Sequence, residues 1–210
     1  MVAKPILRII RNKQFPGSVN YWETRYTSGK TSGAGSYGKL AKFKAEIINA
    51  FVKDNGINSV IELGCGDGNQ LSLAKYPNYI GMDVSETAIK MCIKRFKGDK
   101  SKSFFLYNSL LFKDNHSVFK ADLTLSLDVI YHLIEDTVFE KYMDHLFNFS
   151  KSWVIIYSNN FDDNQNVHIR PRKLTKYVRD NFPQWNLIKK IKNKYPDESW
   201  ADFFIYKKLK

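Results

Sequence analysis

A short glycine-rich turn carries the residue types in this chain that are best suited to chemistry. The stretch from Val60 to Asn69 reads VIELGCGDGN, with acids at Glu62 and Asp67 and a glycine at every second position from Gly64. Glycine allows positive backbone dihedrals and a close approach of the backbone to a ligand. The spacing matches neither the dinucleotide-binding nor the P-loop glycine pattern, and two carboxylates would repel a pyrophosphate. The turn therefore indicates a ligand with a cationic amine or sulfonium centre.

A third acid follows at the end of the next predicted strand. The segment from Tyr79 to Asp83 reads YIGMD, and Asp83 lies about twenty residues beyond the turn, where dinucleotide-binding folds carry a ribose-binding acid. A carboxylate at that place can accept hydrogen bonds from both ribose hydroxyls. The turn and Asp83 together predict a ligand that combines a ribose with a positive charge.

The elements that must position these residues alternate between strand and helix. Apolar runs predict strands at residues 59–63, 79–82, 103–107, 122–127, 153–157, 185–191 and 201–207. Periodicity and capping residues predict helices at 38–54 after Ser36, from the glycine turn to about 75, at 86–97 after Ser85, at 136–149, and from Pro171 to 182. This alternation predicts an α/β fold with a mostly parallel sheet, helices on both faces and an antiparallel final pair.

Several of these segments resemble a known family. VIELGCGDGNQ followed by YIGMDVSETAIKMC resembles motifs I and II of class I S-adenosylmethionine-dependent methyltransferases. ADLTLSLDVIYHL is similar to the family's fourth-strand motif, and WVIIYSNN is similar to its fifth strand. The resemblance covers roughly residues 21 to 207. It implies a Rossmann-like class I methyltransferase fold with seven strands, methyltransferase activity, S-adenosyl-L-methionine as cofactor and S-adenosyl-L-homocysteine as product.

The resemblance also implies a set of cofactor-binding residues at the strand ends. Glu62 would organise the turn, Gly64 and Gly66 would face the amino acid end of the cofactor, and Asp83 would hold the ribose. The other implied contacts are to the adenine, from Val84 and from Asn108 or Ser109, and to the methionyl portion, from Leu127 and Asp128.

The segment before the predicted core resembles a lid. YWETRYTSGKTSGAGS is similar to an aromatic-acid-arginine segment that precedes the core in many such enzymes. Arg25 could pair with the cofactor carboxylate, because a guanidinium matches that group, and Tyr21 or Tyr26 could cover the sulfonium. The alternative is that the aromatic residues only pack a helix on the sheet. We therefore expect an N-terminal lid or arm at residues 1–37 and a methyltransferase domain at 38–210.

A hydroxyl that accepts a methyl group needs a general base, and three residues are candidates. His132 follows the fourth strand at the edge where the methyl group should point, and imidazole titrates near neutrality. His168 lies in the loop after the fifth strand, and Tyr37 is a weaker candidate. The alternative for His132 is a packing or substrate-orienting role. The adjacent acids Asp162 and Asp163 are weak evidence for a metal ion, and we expect catalysis without a metal.

The loop of residues 159–172, NNFDDNQNVHIRPR, is predicted to border the acceptor. Arg170 and Arg172 could clamp a phosphate or carboxylate, and an extended backbone would place His168 on the same side as Arg170. Tyr131, in the fourth-strand motif, is a further candidate for substrate binding. A solvated basic loop is the alternative. These residues favour transfer to an oxygen of a small anionic acceptor, such as a phosphorylated or nucleotide-linked sugar or a capsule or surface-glycan precursor.

Composition limits the remaining functions. The chain has 33 Lys and Arg residues against 21 acids, a net charge of +12, which favours an anionic partner. An RNA or tRNA methyltransferase is therefore the alternative function, and a non-catalytic cofactor-binding protein is a third.

With only two cysteines we expect a reducing, cytoplasmic location. No apolar run approaches the ~20 residues that span a bilayer. The acceptor, the choice between oxygen and nitrogen, and the oligomeric state stay open.

Overall fold

A seven-stranded sheet forms the centre of the protein. The computed structural model describes residues 15–163 and 168–209; the first 14 residues of the predicted arm and residues 164–167 of the predicted acceptor loop lie outside the described residues. The strands, in chain order, are β1 Ser59–Leu63, β2 Asn78–Asp83, β3 Lys102–Leu106, β4 Ala121–Leu127, β5 Ser150–Ser158, β6 Trp185–Ile191 and β7 Asp202–Lys208.

The order of the strands across the sheet is β3-β2-β1-β4-β5-β7-β6. The first five strands pair in parallel, whereas β7 is antiparallel to both β5 and β6. The predicted mostly parallel sheet with an antiparallel last strand is confirmed. The order reverses between β1 and β4, which is where sheets of this kind bind ligands.

Five α-helices surround the sheet among the described residues: α1 Ser18–Thr27, α2 Gly38–Asp54, α3 Glu86–Arg95, α4 Asp136–Asn148 and α5 Leu174–Asn181. Three short 3-10 helices cover Ala34–Ser36, Leu71–Leu73 and Ile130–His132. The predicted cap of α3 is confirmed, because the Ser85 hydroxyl accepts a hydrogen bond from the backbone N–H of Ala88 at 3.1 Å. None of the described helices is long and apolar enough to cross a membrane.

Apolar side chains fill both faces of the sheet. On one face, β4 and β5 pack against α4 and α5 through residues such as Val154, Met143 and Val178. On the other face, the same strands pack against α2 through residues such as Ile155 and Ile48. Because the central strands are buried on both sides, they read as near-continuous apolar runs. The polar ends of these strands are left to line a site.

The helix predicted directly after the glycine turn is wrong. Residues 64–75 form turns and the short 3-10 helix Leu71–Leu73 instead. Three glycines with positive φ break the helical backbone there, and the Asp67 carboxylate accepts a hydrogen bond from the backbone N–H of Asn69 at 3.0 Å. This local bond competes with a helical one, and Pro77 disfavours helical backbone just upstream of it.

Two predicted helix starts are also wrong. Ser36 does not cap α2, since Tyr37 occupies the N-cap position without a side-chain bond; the Ser36 carbonyl instead accepts a hydrogen bond from the Asn69 side chain at 2.7 Å. Pro171 does not open α5, which begins at Leu174. The residue after the proline, Arg172, precedes this helix and donates hydrogen bonds to the carbonyls of Leu133 and Ile134 in the loop beyond β4.

Candidate functional site

A cavity of about 290 Å³ lies at the carboxyl ends of β1, β2 and β4, close to the lower size limit of small-molecule pockets. The structure brings together at its wall nine of the residues predicted to bind a cofactor: Glu62, Gly64, Gly66, Asp83, Val84, Asn108, Ser109, Leu127 and Asp128. Their roles toward a ligand stay predictions. The wall also contains residues that sequence reasoning missed, among them Trp22, Ser32, Gln70 and Glu135.

Neighbouring side chains lie too close to the glycine turn for any larger residue. Gly64 and Gly66 have φ values of 84° and 58°, a region that side chains rarely adopt. A Cβ on Gly66 would lie 2.3 Å from the Ser32 hydroxyl oxygen, and one on Gly64 would lie 2.4 Å from a methyl carbon of Val129. The turn is therefore enclosed by the segment before α2 and by the residues that follow β4.

Asp67 ties the turn to the segment before α2. Its carboxylate accepts hydrogen bonds from the backbone N–H of Ser32 at 3.0 Å and from the hydroxyl of Tyr37 at 2.8 Å. The Ser32 hydroxyl accepts one in return from the backbone N–H of Asp67 at 2.9 Å. Burial raises the pKa of the Asp67 carboxyl, but the hydrogen bonds that it accepts outweigh burial and bring this pKa below its usual value. Asp67 therefore holds the glycine turn against the segment before α2, and its negative charge also contributes to the electrostatic field in the cavity.

Glu62 and Asp83 are buried acids with few partners. Glu62 accepts a hydrogen bond from the Tyr79 hydroxyl at 2.7 Å. Asp83 accepts one from the backbone N–H of Gly66 and one from that of Ser85, each at 2.9 Å. Burial raises the pKa of Glu62 to about 7 and that of Asp83 to about 6. Both acids would be more stable as anions if a ligand brought positive charge or hydrogen-bond donors.

A fourth acid, Asp128, lies at the end of β4. Its backbone has a φ of 61°, which is unusual for a residue other than glycine. One carboxylate oxygen accepts a hydrogen bond from the Lys44 ammonium at 2.6 Å, and the other accepts one from the Tyr131 hydroxyl at 3.0 Å. Four acids therefore line the cavity, namely Glu62, Asp83, Asp128 and Glu135, and Lys44 is the one buried Lys or Arg within the described ranges. The site has an excess of negative charge.

Helix α1 crosses the cavity from α3 to the start of α4. On one side, the Glu23 carboxylate accepts hydrogen bonds from the hydroxyls of Ser85 and Thr87, both at 2.5 Å. On the other side, the Ser18 hydroxyl donates a hydrogen bond to the Glu135 carboxylate at 2.7 Å. The bonds that Glu23 accepts, that from Ser85 first, hold its pKa below its usual value. This helix lies within the segment 1–37 that was predicted to be a lid or arm, and its role as a lid stays a prediction.

Two of the three lid residues predicted as possible cofactor contacts, Tyr21 and Arg25, lie outside the cavity wall. Arg25 donates a hydrogen bond from Nε to the carbonyl of Thr31 at 2.7 Å, and its guanidinium lies 5.7 Å from the centre of the Trp22 ring. Tyr21 stacks on His168, with 5.1 Å between ring centres. Tyr26, the alternative to Tyr21, does line the cavity. The cofactor contacts of Tyr21 and Arg25 stay predictions.

The three candidate bases also lie outside the cavity wall. His132 and His168 stack with 5.6 Å between ring centres, and Nδ1 of His132 lies 2.9 Å from the His168 carbonyl oxygen. Burial lowers the pKa of His132 to about 4, and it also lowers the pKa of His168. Burial raises the pKa of Tyr37, whose hydroxyl already donates to Asp67. The histidines therefore favour neutral imidazole, and Tyr37 favours the neutral phenol.

The predicted anion clamp has partners within the protein. Arg172 donates hydrogen bonds to the carbonyls of Leu133 and Ile134 at 2.6 and 3.1 Å. Arg170 donates to the same Ile134 carbonyl at 2.9 Å, and both arginines lie 3.0 Å from the Asp136 carboxylate. Neither lines the cavity, and Tyr131 is engaged with Asp128. The described residues contain no group of three or more side chains arranged to hold a metal ion.

One missed residue left a detectable signal. The apolar face of α2 runs through Leu40, Phe43, Ile47, Ile48 and Phe51, and Lys44 occupies a position on this face. A lysine at a core position must find a buried partner, because an unpaired charge is costly there. Ser32 lies within the segment predicted as a lid but was not singled out there, and nothing in the sequence near Glu135 indicates that it would meet the cavity.

Comparison with known proteins places the fold. The sequence matches no protein-family model and no curated protein. Among solved structures, the N-methyltransferase NodS from Bradyrhizobium japonicum WM9, in complex with S-adenosyl-L-homocysteine, is similar over 92% of this chain and 100% of that chain, with a TM-score of 0.72 and 13% identity. Magnesium protoporphyrin IX methyltransferase ChlM from Synechocystis PCC 6803, with bound S-adenosylmethionine, is similar over 91% and 97%, with a TM-score of 0.65 and 13% identity.

The methyltransferase domain of bacterial CtHen1 is also similar, over 80% of this chain and 97% of that domain, with a TM-score of 0.63 and 20% identity. These three proteins have class I S-adenosylmethionine-dependent methyltransferase folds, and this chain has the same Rossmann-like fold. The family resemblance seen in the sequence is confirmed at the level of the fold.

Proposed function

We propose that the protein is an S-adenosylmethionine-dependent methyltransferase. The observation that carries this proposal is the pair of buried acids, Glu62 and Asp83, beside a glycine turn at the switch in strand order. Their raised pKa values and the single compensating lysine make the cavity suited to a cationic ligand with hydroxyl groups. The solved structures of NodS and ChlM, which hold S-adenosyl-L-homocysteine or S-adenosylmethionine, support this choice of ligand.

The residues of the cavity fit such a cofactor. Each oxygen of Asp83 accepts one backbone N–H, and a carboxylate has about four acceptor sites, so both oxygens can still accept a ribose hydroxyl. Gly66 offers backbone without a side chain, and Glu62 faces the same space with a single hydrogen bond. Asn108 and Ser109 would border the adenine. When bound, S-adenosylmethionine supplies a methyl group already activated on sulfur, so the protein mainly has to align the acceptor.

We further propose that the acceptor is a small anionic molecule and that an oxygen receives the methyl group. The net charge of +12 supports an anionic partner. Of the two arginines, Arg170 is better placed for an anion, because its side chain is 32% exposed whereas that of Arg172 is 13% exposed. A phosphorylated or nucleotide-linked sugar, or a capsule or surface-glycan precursor, has this chemistry. His132 is the proposed base, since a bond from Nδ1–H to the His168 carbonyl would leave Nε2 as an acceptor.

Calorimetric titration with S-adenosylmethionine and S-adenosyl-L-homocysteine tests the cofactor. Asp83→Asn keeps the shape of the side chain but removes its charge, so it should weaken both ligands about tenfold or more, the loss expected for hydrogen bonds to a charged group. Asp99→Asn is the matched control, because Asp99 is exposed and should bind like wild type. Wild-type protein that binds neither ligand, or an Asp83→Asn variant that binds both normally, would refute the proposal.

A further inference from the structure

Lys44 is a buried cation that does not itself line the cavity. It lies on the inner face of α2, between Leu40 and Ile48, and its side chain is 0% exposed. Lysine is almost never fully buried unless it is paired. A buried charge of this kind costs several kcal/mol before its partner compensates it. Its retention in the core therefore needs a reason beyond packing.

The partner of Lys44 belongs to the cavity wall. The ammonium lies 2.6 Å from one carboxylate oxygen of Asp128, and the ring of Tyr157 lies 5.3 Å away. Asp128 has left-handed backbone, a conformation that aspartate and asparagine adopt more readily than other side chains do. The pair thus joins the core of α2 to the turn that ends β4.

Asp128 connects three parts of the site. A Cβ on Gly35 would lie 2.6 Å from the carboxylate oxygen of Asp128, so the segment before α2 rests directly on that group. The next residue, Val129, rests on Gly64 of the glycine turn. Asp128 itself lines the cavity. A shift of this carboxylate would therefore move the residues that enclose the glycine turn.

We propose that Lys44 is a positioning residue for the cofactor: its charge holds the Asp128 carboxylate in the left-handed turn that keeps Val129 on Gly64 and Gly35 over the cavity. Without the ammonium, Asp128 would be an anion with one neutral donor, Tyr131, in largely apolar surroundings. It would then turn toward water, and the enclosure of the glycine turn would loosen. The cofactor part of this inference rests on the proposed function, whereas the role of the pair in the ligand-free protein does not.

Two substitutions separate the effect of charge from that of packing, because together they replace the ion pair by a neutral pair. Asp128→Asn keeps a residue that tolerates left-handed backbone and can still accept a hydrogen bond from Tyr131. Lys44→Met keeps a side chain close in shape to the lysine stem. Lys44→Met alone leaves a buried anion, whereas Lys44→Met with Asp128→Asn leaves none. The titratable groups that face the pair from neighbouring elements are the same in both variants: Glu62 on β1, Tyr131 and His132 after β4, and Tyr157 on β5.

The first measurement is calorimetric titration with S-adenosyl-L-homocysteine at about pH 8. Lys44→Met should bind about tenfold more weakly than the double variant, because only the single variant carries the uncompensated carboxylate. A packing role would give equal affinities, since the two variants carry the same side chain at position 44. Lys42→Met, on the exposed side of the same helix, should match wild type.

The second measurement is the thermal midpoint of the same proteins without ligand, at the same pH. Lys44→Met should unfold at a lower temperature than the double variant. Equal midpoints and equal affinities for these two variants would overturn the inference. If wild type binds neither cofactor form, the proposed function fails, and the unliganded midpoints still decide whether Lys44 holds Asp128. If Lys44→Met does not fold but the double variant does, the inference is supported.

Discussion

Glu62 and Asp83 hold their protons more tightly than free carboxylic acids do. Burial raises the pKa of Glu62 from 4.5 to about 7 and that of Asp83 from 3.8 to about 6. A carboxyl whose pKa is raised by folding stabilises the fold fully below its unfolded pKa, and this contribution is lost as the pH rises through the folded value. At neutral pH, ionising these acids therefore costs the ligand-free protein stability. A ligand that favours the anions offsets this cost.

The affinity for S-adenosyl-L-homocysteine should consequently rise with pH. Between about pH 5.5 and about pH 7.5, binding to the ionised acids must release protons, and each released proton gives up to about a tenfold gain per pH unit. Titrations in buffers with different ionisation enthalpies measure this release directly. Asp83→Asn should release fewer protons and give a shallower profile. An affinity that does not change over this range, or proton uptake on binding, would contradict the prediction.

Residues at the strand ends were easier to predict than residues in loops. Asp83 follows an apolar strand, and the carboxyl ends of parallel strands meet at one edge, so its place at the cavity follows from the sequence. The surroundings of Arg172 depend instead on which carbonyls the loop after β4 presents, and no sequence pattern reports that. The same holds for Tyr21, whose partner His168 lies far away in the chain. Lys44 was partly predictable, because the sequence shows its position on an apolar helical face but does not indicate its partner.

At the scale of elements, the longest apolar patterns gave the most accurate predictions. The α2 boundaries agree with the predicted 38–54, and β5 contains the predicted run at its centre. The failure after the glycine turn has a physical cause, because the twelve residues 64–75 contain three glycines with positive φ and a competing aspartate bond, which together disfavour an α-helix. The amides around Asp67 are therefore fixed by the segment before α2 and do not form a free helix start.

Helix α1 should loosen when its bond to α3 is weakened. Glu23→Gln removes the charge that three donors of Ser85 and Thr87 stabilise, a loss of about 1–2 kcal/mol. Hydrogen exchange measured by mass spectrometry should then show α1 amides that exchange about tenfold faster, because local opening becomes more frequent. S-adenosyl-L-homocysteine should slow the exchange in both proteins.

The matched control for this experiment is Glu46→Gln, an exposed acid on α2, which should leave α1 unchanged. If Glu23→Gln leaves the exchange of α1 unaltered, the bond to α3 does not hold this helix in place. A faster exchange that spreads over the whole chain would instead indicate global destabilisation, and the local interpretation would be wrong.

At the scale of the whole molecule, the charge inside the site is opposite to the charge outside. The cavity has an excess of acids, whereas the chain as a whole has a net charge of +12. Part of this positive charge lies on β6 and the turn after it, where Lys189 and Lys194 are exposed and Lys190 and Lys192 share Asp202 at 3.0 and 3.1 Å. Under the proposed function, this separation would suit an anionic acceptor that approaches from outside and a cationic cofactor held inside.

Salt dependence distinguishes a small acceptor from RNA. Filter binding with a mixed tRNA population should detect only weak association, which falls steeply between about 50 and 200 mM salt because it depends on counterion release. S-adenosyl-L-homocysteine should not strengthen this association if RNA is not the acceptor. Tight binding at 200 mM salt that the nucleoside enhances would favour the RNA or tRNA methyltransferase over the glycan-directed enzyme.

The hydrogen bonds that Asp67 accepts have a consequence for the rate of the proposed catalytic cycle. Two of its donors, Ser32 and Tyr37, belong to the segment before α2 that encloses the glycine turn, and we expect that exchange of a bound cofactor would require those contacts to separate. Under the proposed function, the interval between successive reactions would be paced by the opening of that segment and not by bond making at the sulfur. A substitution that weakens these contacts would then increase the turnover rate and shorten the residence time of the cofactor.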